Sequence, residues 1–308
     1  MRYHGLDLNL LALLEALRIE QNVTRAALRL NLTQSAVSAA LGRLREHFGD
    51  PLFALVGGRM MPTALMQAMA PRLEEFLAVS RVLAFANASF DPAAASRRFY
   101  VTASDYVLAV VMPEVQRRLL DVAPGIRLSL NTLPFHSGQA DRLAAVALEH
   151  NNSDFVILPD IHRSQAHPCA PFFQDGFTTI AWLDNSLIAG ELTLAQYLEL
   201  EHVVREISPG VPGSMEAEFF IQAGFERRVA VAVDQFGLIP EFVVGSSRVA
   251  TLHSRLAVLY ARRFPLRLIK PPLDLPATVQ VIQWHAYQDA DPAVTWLRQL
   301  MQDVAAVI

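Results

Sequence analysis

Lysine is almost missing from this chain: of its 26 basic residues only Lys270 is a lysine, and the rest are arginines. Chemistry that needs a lysine amine, such as a Schiff base, therefore has one candidate. Lys270 stands directly before Pro271-Pro272, in a loop or strand end, which is a poor setting for it. Cysteine is equally scarce. Cys169 is alone, which excludes an intramolecular disulfide and a cysteine-rich metal site and fits a reducing compartment. Charged residues make up only 18% and the net charge is -4, so there is no global basic field. Any contact with nucleic acid must come from a local patch. Long apolar runs are missing too: the longest, near Val107 to Met112, falls well short of the ~20 residues that span a bilayer. Met1 to Asn9 mixes polar and apolar residues, so no signal peptide is expected, and the chain reads as cytoplasmic with no membrane partner.

What is abundant is apolar material. Hydrophobic residues make up 52% of 308 positions, enough for two or three folding units. In the first sixty residues, Leu10, Leu14 and Leu17 recur at helical spacing, with Asp7 placed to cap a helix over about 8–20. Thr24 can cap a second, short helix with the small residues Ala26 and Ala27, and Leu32 can plug the turn after it. Thr33 caps a third helix to about Phe48. Its inward face is Val37, Ala40, Leu41, Leu44 and Phe48, and its outward face is Gln34, Ser35, Ser38, Gly42 and Arg43. Small polar residues let a helix sit deep in a major groove, where Gln can pair with adenine and Ser can meet base edges or phosphate. A short helix, a tight turn and a longer helix of this kind make a helix-turn-helix; a small bundle without nucleic-acid contact is the bland alternative. Leu52-Phe53-Ala54-Leu55, the turn around Gly57-Gly58 and Met60-Met61 then read as a two-stranded wing with Arg59 at its tip, placed to touch phosphate. Up to residue 63 there are seven arginines against five acids, opposite in sign to the rest of the chain.

The blocks Leu6-Asp7-Leu8-Asn9-Leu10-Leu11, Ala26-Ala27 with Leu30 through Ser38, Leu41-Gly42-Arg43-Leu44, Asp50-Pro51-Leu52-Phe53 and Pro62-Thr63 stand in an order and spacing that resemble the LysR-type transcription regulators. Phe90-Asp91-Pro92, Arg98-Phe99, Ser104-Asp105-Tyr106 and the tail around Trp284-His285 and Trp296-Leu297-Arg298 resemble most the NodD-type and NahR-type branch, which answers to nodulation signals and aromatic acids. The resemblance implies a bacterial, ligand-responsive activator rather than an enzyme. It implies a dimer or tetramer that binds an interrupted palindrome of double-stranded DNA and bends it near a promoter, with RNA polymerase as a further candidate partner. It places base contacts at Gln34, Ser35, Ser38 and Arg43, with the capping Thr33 counted among the DNA-binding residues. One departure stands out: the family's usual wing arginine is here Leu55, which shifts the expected wing contact to Arg59.

The fold implied is mixed: a winged helix-turn-helix over 1–62, a linker and dimerisation helix over 63–88, a hinge over 89–96, and a two-lobed α/β effector domain over 97–308 like a periplasmic binding protein. The linker pattern is Leu65, Met69, Leu73, Phe76, Leu77 and Leu83, with Pro71 expected to kink it or remove a hydrogen bond. Strands and helices alternate beyond the hinge, which predicts largely parallel sheets. Lobe I is expected at 97–160 and 268–308, and lobe II at 161–267. Ligands in such sheets lie beyond the carboxyl ends of strands. The candidates there are Ser104, Thr132, His162 and Arg205 for polar contacts and Tyr106, Phe135 and Phe236 for ring contacts, to an aromatic or acidic small molecule. Ser104 has an alternative reading as a plain helix cap.

No cofactor and no metal site is expected. There is no phosphate-binding Gly-Lys loop, no His-Glu-x-x-His and no Gly-x-Ser-x-Gly elbow, and His167-Pro168-Cys169 reads as a loop turn. A solute-binding protein would need an export signal and no helix-turn-helix. An enzyme would need a nucleophile and base, and none is visible.

Overall fold

The computed structural model describes residues 2, 3, 6–30, 32–85, 90–133, 140–149, 153–188, 190–208 and 210–308. The chain divides into two compact units, Met1–Ser89 with Tyr287–Pro292, and Phe90–Ala286 with Ala293–Ile308.

The N-terminal unit opens with two short paired strands, β1 (Arg2–Tyr3) and β2 (Leu6–Asp7), then α1 (Leu11–Glu20), α2 (Val23–Arg29) and α3 (Gln34–Phe48). Asp7 ends β2 and directly precedes a 3-10 turn over Leu8–Leu10 that runs into α1, so the helical stretch begins at Leu8 as expected. Thr24 does not cap α2: it is inside the helix, and Asn22 accepts the Arg25 N–H at 3.0 Å. Asn is the better cap, because its carbonyl reaches the third helical N–H from extended backbone. Thr33 caps α3 as expected, with Oγ1 accepting from Ala36 N at 3.2 Å.

The wing is β3 (Phe53–Val56) paired antiparallel with β4 (Arg59–Pro62), Val56 opposite Arg59. Gly57 and Gly58 carry φ of 57° and 78° between them. Two positive φ values in a two-residue loop match the twist of a hairpin, and only glycine adopts them without strain. The Asp50-Pro51-Leu52-Phe53 block has a physical explanation. Leu52 is fully buried with φ of 59°, and Asp50 Oδ1 holds that bend by accepting from Leu52 N at 2.6 Å and Thr63 Oγ1 at 2.8 Å. Arg45 of α3 donates to the carbonyls of Pro51 and Phe53, so wing and helix are tied together. The core beneath is Leu14, Leu17, Ala26, Ala27, Val37, Leu41, Leu44, Phe53 and Met66. From Ala64 to Phe85 runs α4, continuous through Pro71 rather than broken there.

The second unit holds two sheets. Its first elements are β5 (Arg98–Ala103), α5 (Asp105–Val122), β6 (Arg127–Thr132), α6 (Ala140–Glu149), β7 (Phe155–Pro159), β8 (Cys169–Asp175) and β9 (Phe177–Trp182). Then come α7 (Leu194–Glu199), β10 (Glu201–Ser208), β11 (Val211–Pro212), α8 (Met215–Gln222), β12 (Arg228–Val233), α9 (Ile239–Val243), β13 (Val249–His253), α10 (Ser254–Ala261), β14 (Leu266–Ile269), β15 (Thr278–Gln283) and α11 (Pro292–Val307). Lobe I is the sheet β6-β5-β7-β15-β8, and lobe II is β11-β10-β13-β9-β14 with β12 on β10.

Both sheets are mixed, not largely parallel. In lobe I, β15 runs antiparallel to β7 and β8; in lobe II, β9 runs antiparallel to β13 and β14. One antiparallel pairing of lobe I comes from β8, a strand the sequence did not show. Its residues Cys169-Ala-Pro-Phe-Phe-Gln-Asp lack a clean alternation, and it pairs with β15 along its length. With β8 in lobe I, the first crossover falls at Gly176, later than the expected boundary at 160.

Candidate DNA-reading surface and effector cleft

On α3 the apolar residues Val37, Ala40, Leu41 and Leu44 are buried, while Thr33, Gln34, Ser35, Ser38 and Arg43 are exposed, as is Arg59 on the wing. Thr33 Oγ1 also lies 3.0 Å from Ser35 Oγ, so these two hydroxyls hold each other at the start of the helix. The helix therefore turns a polar side to solvent with its amide N-terminus leading, a surface that suits a groove edged by phosphates. Leu55 is 72% exposed at the departing wing position. Arg45 is committed to the wing carbonyls, which leaves Arg43 as the unbonded arginine of this helix among the described residues.

Between the two lobes of the second unit lies a narrow cleft of about 30 Å3, partly open to solvent. Lobe I supplies Ser104 after β5, Pro159 and His162 after β7, and Gln280 from β15. Lobe II supplies Arg205 from β10, Gly213 and Ser214 after β11, Met215 and Glu218 from α8, Phe236, and His253 at the end of β13. Ser104 also caps α5, accepting from Val107 N at 3.3 Å, so its cap role and its place on the cleft coexist.

Arg205 is the most constrained of these. Its Nε donates to Asp234 O at 3.0 Å, Nη1 donates to Gly213 O, and the guanidinium lies 4.9 Å over the Phe236 ring. Burial lowers its pKa, and Asp105 and Asp234 oppose that shift. Beside it, burial pushes the His253 imidazole down to about 3, with Arg205 adding to the effect, so the ring is neutral. His253 Nδ1 and Gln280 Oε1 are buried without a hydrogen-bond partner. Buried polar atoms left unpaired carry a desolvation cost, which a bound molecule can relieve.

Four of the seven candidate ligand residues, Ser104, His162, Arg205 and Phe236, line the cleft together. Tyr106 does not. It is buried in the core, where its hydroxyl donates to Asp175 Oδ2 at 2.6 Å and its ring stacks on His253 with centroids 3.9 Å apart. Thr132 does not line the cleft either. It is exposed at the end of β6, the outer strand of its sheet, opposite Ala103 and away from β7. Phe135 lies outside the described residues. His253 and Gln280 were missed. His253 was findable, since it ends a strand and precedes a helix just as Ser104 does. Gln280 sits inside a strand, and only the sheet order brings it to the cleft.

The two lobes meet through polar contacts near the crossover. Asp175 also accepts from Arg255 N at 3.2 Å, and burial raises its pKa despite these bonds. Asp105 Oδ2 accepts from Gly237 N at 3.1 Å. Among the described residues no group of three or more His, Cys, Asp or Glu could hold a metal ion, and no helix is long and apolar enough to cross a membrane.

A winged helix-turn-helix joined in one chain to a two-lobed sheet domain with a cleft between its lobes has the architecture of a DNA-binding regulator. Known proteins agree. Residues 8–67 match the model of bacterial regulatory helix-turn-helix proteins of the lysR family. Nodulation protein D 1 of Bradyrhizobium diazoefficiens is 37% identical over 306 residues, covering 99% of this chain and 95% of the relative. Nodulation protein D 1 of Rhizobium meliloti is 34% identical over 308 residues, covering 100% and 98%. Among solved structures, the probable transcriptional regulator PA0477 of Pseudomonas aeruginosa superposes with a TM-score of 0.74 at 27% identity, covering 97% of both chains. A full-length OxyR variant of the same organism gives 0.73 at 16% identity, covering 99% and 96%, which speaks for the fold alone. The chain belongs to the LysR family and is a DNA-binding transcription regulator, not an enzyme.

Proposed function

We propose that this chain is an effector-gated activator whose recognition helix reads DNA through Thr33, Gln34, Ser35, Ser38 and Arg43. Arg59 of the wing touches phosphate. The effector is a small aromatic or acidic molecule held between the lobes by Ser104, His162, Arg205 and Phe236, with His253 and Gln280 as further contacts. Its differential affinity for closed and open lobes shifts their population, and the shift alters the bend of the bound promoter. The working form is a dimer or tetramer joined through α4, on an interrupted palindrome and in reach of RNA polymerase, in the bacterial cytoplasm. Two copies suit an N-terminal unit with so small an excess of arginine, because phosphate contacts dominate affinity. The relatives named as nodulation proteins support a role in switching on genes in response to an external signal.

The observation that carries this reading is the split of α3 into a buried apolar side and an exposed polar side, in a chain that also contains a cleft with unpaired buried polar atoms. Footprinting on the DNA upstream of its own gene tests it, with and without a panel of aromatic acids and flavonoids. A footprint is expected in both states, shortened or shifted by the active compound. A footprint indifferent to every compound that binds the protein would remove the gating, and a Ser104→Ala, Arg205→Ala variant with undiminished affinity would remove those residues from the site.

A further inference from the structure

Sequence spacing puts Leu32 in the turn between α2 and α3, as a plug. Leu30 does that work instead: it packs against the N-terminal core, whereas Leu32 is 49% exposed and takes no part in that core. Yet Leu32 is not loosely held. Its N–H donates to Ala27 O at 2.9 Å, closing the end of α2, and the next residue, Thr33, is the cap of α3. The backbone of Leu32 is thus held at the leading end of α3, just before Thr33, Gln34 and Ser35, which are all polar and exposed, and its side chain is half open to solvent.

We propose that Leu32 reads the C5-methyl group of a thymine in the major groove beside the bases met by Gln34 and Ser35. This rests on the reading that α3 enters the groove. Among the base edges that line the groove, the apolar group on offer is the thymine methyl, and a leucine next to it buries apolar surface on both partners. Thr33, Ala36 and Ala39 are exposed nearby but carry smaller apolar groups, so Leu32 offers the largest apolar surface at the start of α3. A second copy of the chain is a poorer occupant, since a single half-exposed leucine is far from the area that a stable protein interface needs. Leu32 directly adjoins the polar end of α3, which favours DNA over a partner helix as its occupant.

The test uses the full chain and a duplex that it selects from a random-sequence pool. Each thymine is replaced in turn by deoxyuridine, which deletes the methyl group and nothing else, and binding is followed by fluorescence anisotropy. One thymine per half-site should weaken binding by about fourfold when replaced, the size expected for one buried methyl group. Leu32→Ala should bind the thymine duplex more weakly by a similar or larger factor and lose the preference, thymine and uracil duplexes binding alike. Leu32→Met, which keeps the apolar bulk, should keep it. A thermal melt of Leu32→Ala shows that the variant folds. The proposal is overturned if no thymine is sensitive, or if the preference survives unchanged in Leu32→Ala. A change in oligomeric state with the preference intact overturns it in favour of a second copy covering Leu32. Failure of the underlying reading looks different: Gln34→Ala would bind every duplex with the affinity of the parent chain.

Discussion

Gln34 and Arg59 are both exposed on the N-terminal unit, but they should act in different ways. Gln34 can make a paired set of hydrogen bonds to one base, so Gln34→Ala is expected to cost ~1–3 kcal/mol and to relax preference at one position per half-site. Arg59 is proposed to touch phosphate, so Arg59→Ala should weaken all sequences alike and reduce the slope of log affinity against log salt by ~0.9 for each phosphate no longer neutralised. The converse change is Leu55→Arg, which should raise affinity at low salt and steepen that slope. Anisotropy titrations at three salt concentrations separate these outcomes. In the effector unit, Gly213 is a position where a side chain has no room. A Cβ there would stand 2.9 Å from Arg205 Cγ and 3.0 Å from Arg205 O. Gly213→Ala should therefore destabilise by ~1–3 kcal/mol in urea unfolding, because backbone and a hydrogen-bonded arginine must both move.

Among the elements, the turn before α2 and the wing carry most of the local logic. Asn22 caps α2 through its side chain, so Asn22→Ala should cost ~1 kcal/mol of N-terminal unit stability. Thr24→Ala, the change that the spacing alone would favour, should cost less, and a pair of urea melts decides between them. Sequence periodicity showed α1, α2, α3, the wing and α4, because each has one strongly apolar face and clear breakers. It showed most of the βα alternation for the same reason. Each miss has a physical cause. Thr24 is a good cap in isolation, but capping needs the side chain at one particular backbone position, and α2 starts at Val23, where Asn22 holds that position. Strand β8 was hidden because its apolar residues run together and include Pro171. Pairing with β15 makes it a strand, and that pairing is long-range.

Across the whole molecule, the buried histidines set a pH dependence. Burial pushes His253 down to about 3 and His202 down to about 4, against an ordinary value near 6.5. Both are neutral when folded at neutral pH. Below 6.5 the unfolded chain binds protons that the folded chain refuses, so stability falls as the pH drops from 6.5 toward 4. The melting temperature should fall over that window, and His253→Gln should flatten the fall where the variant folds. A melting temperature constant from pH 7 to pH 4.5 would show that these rings protonate without cost.

The linear chain by itself determined the winged helix-turn-helix, the family and the outward polar side of α3. All of these rest on contacts between residues a few positions apart, and such contacts leave a period in the sequence. It also marked Ser104, His162 and Phe236, because ends of strands can be read locally, and Arg205, although β10 runs on past it to Ser208. Only the tertiary structure decided which of the marked residues meet. Tyr106 turned inward to Asp175, Thr132 was left on an outer strand, and Gln280 and His253 came to the cleft from strands that are distant in sequence. Sheet order is set by pairing between segments a hundred residues apart, and no local pattern encodes it.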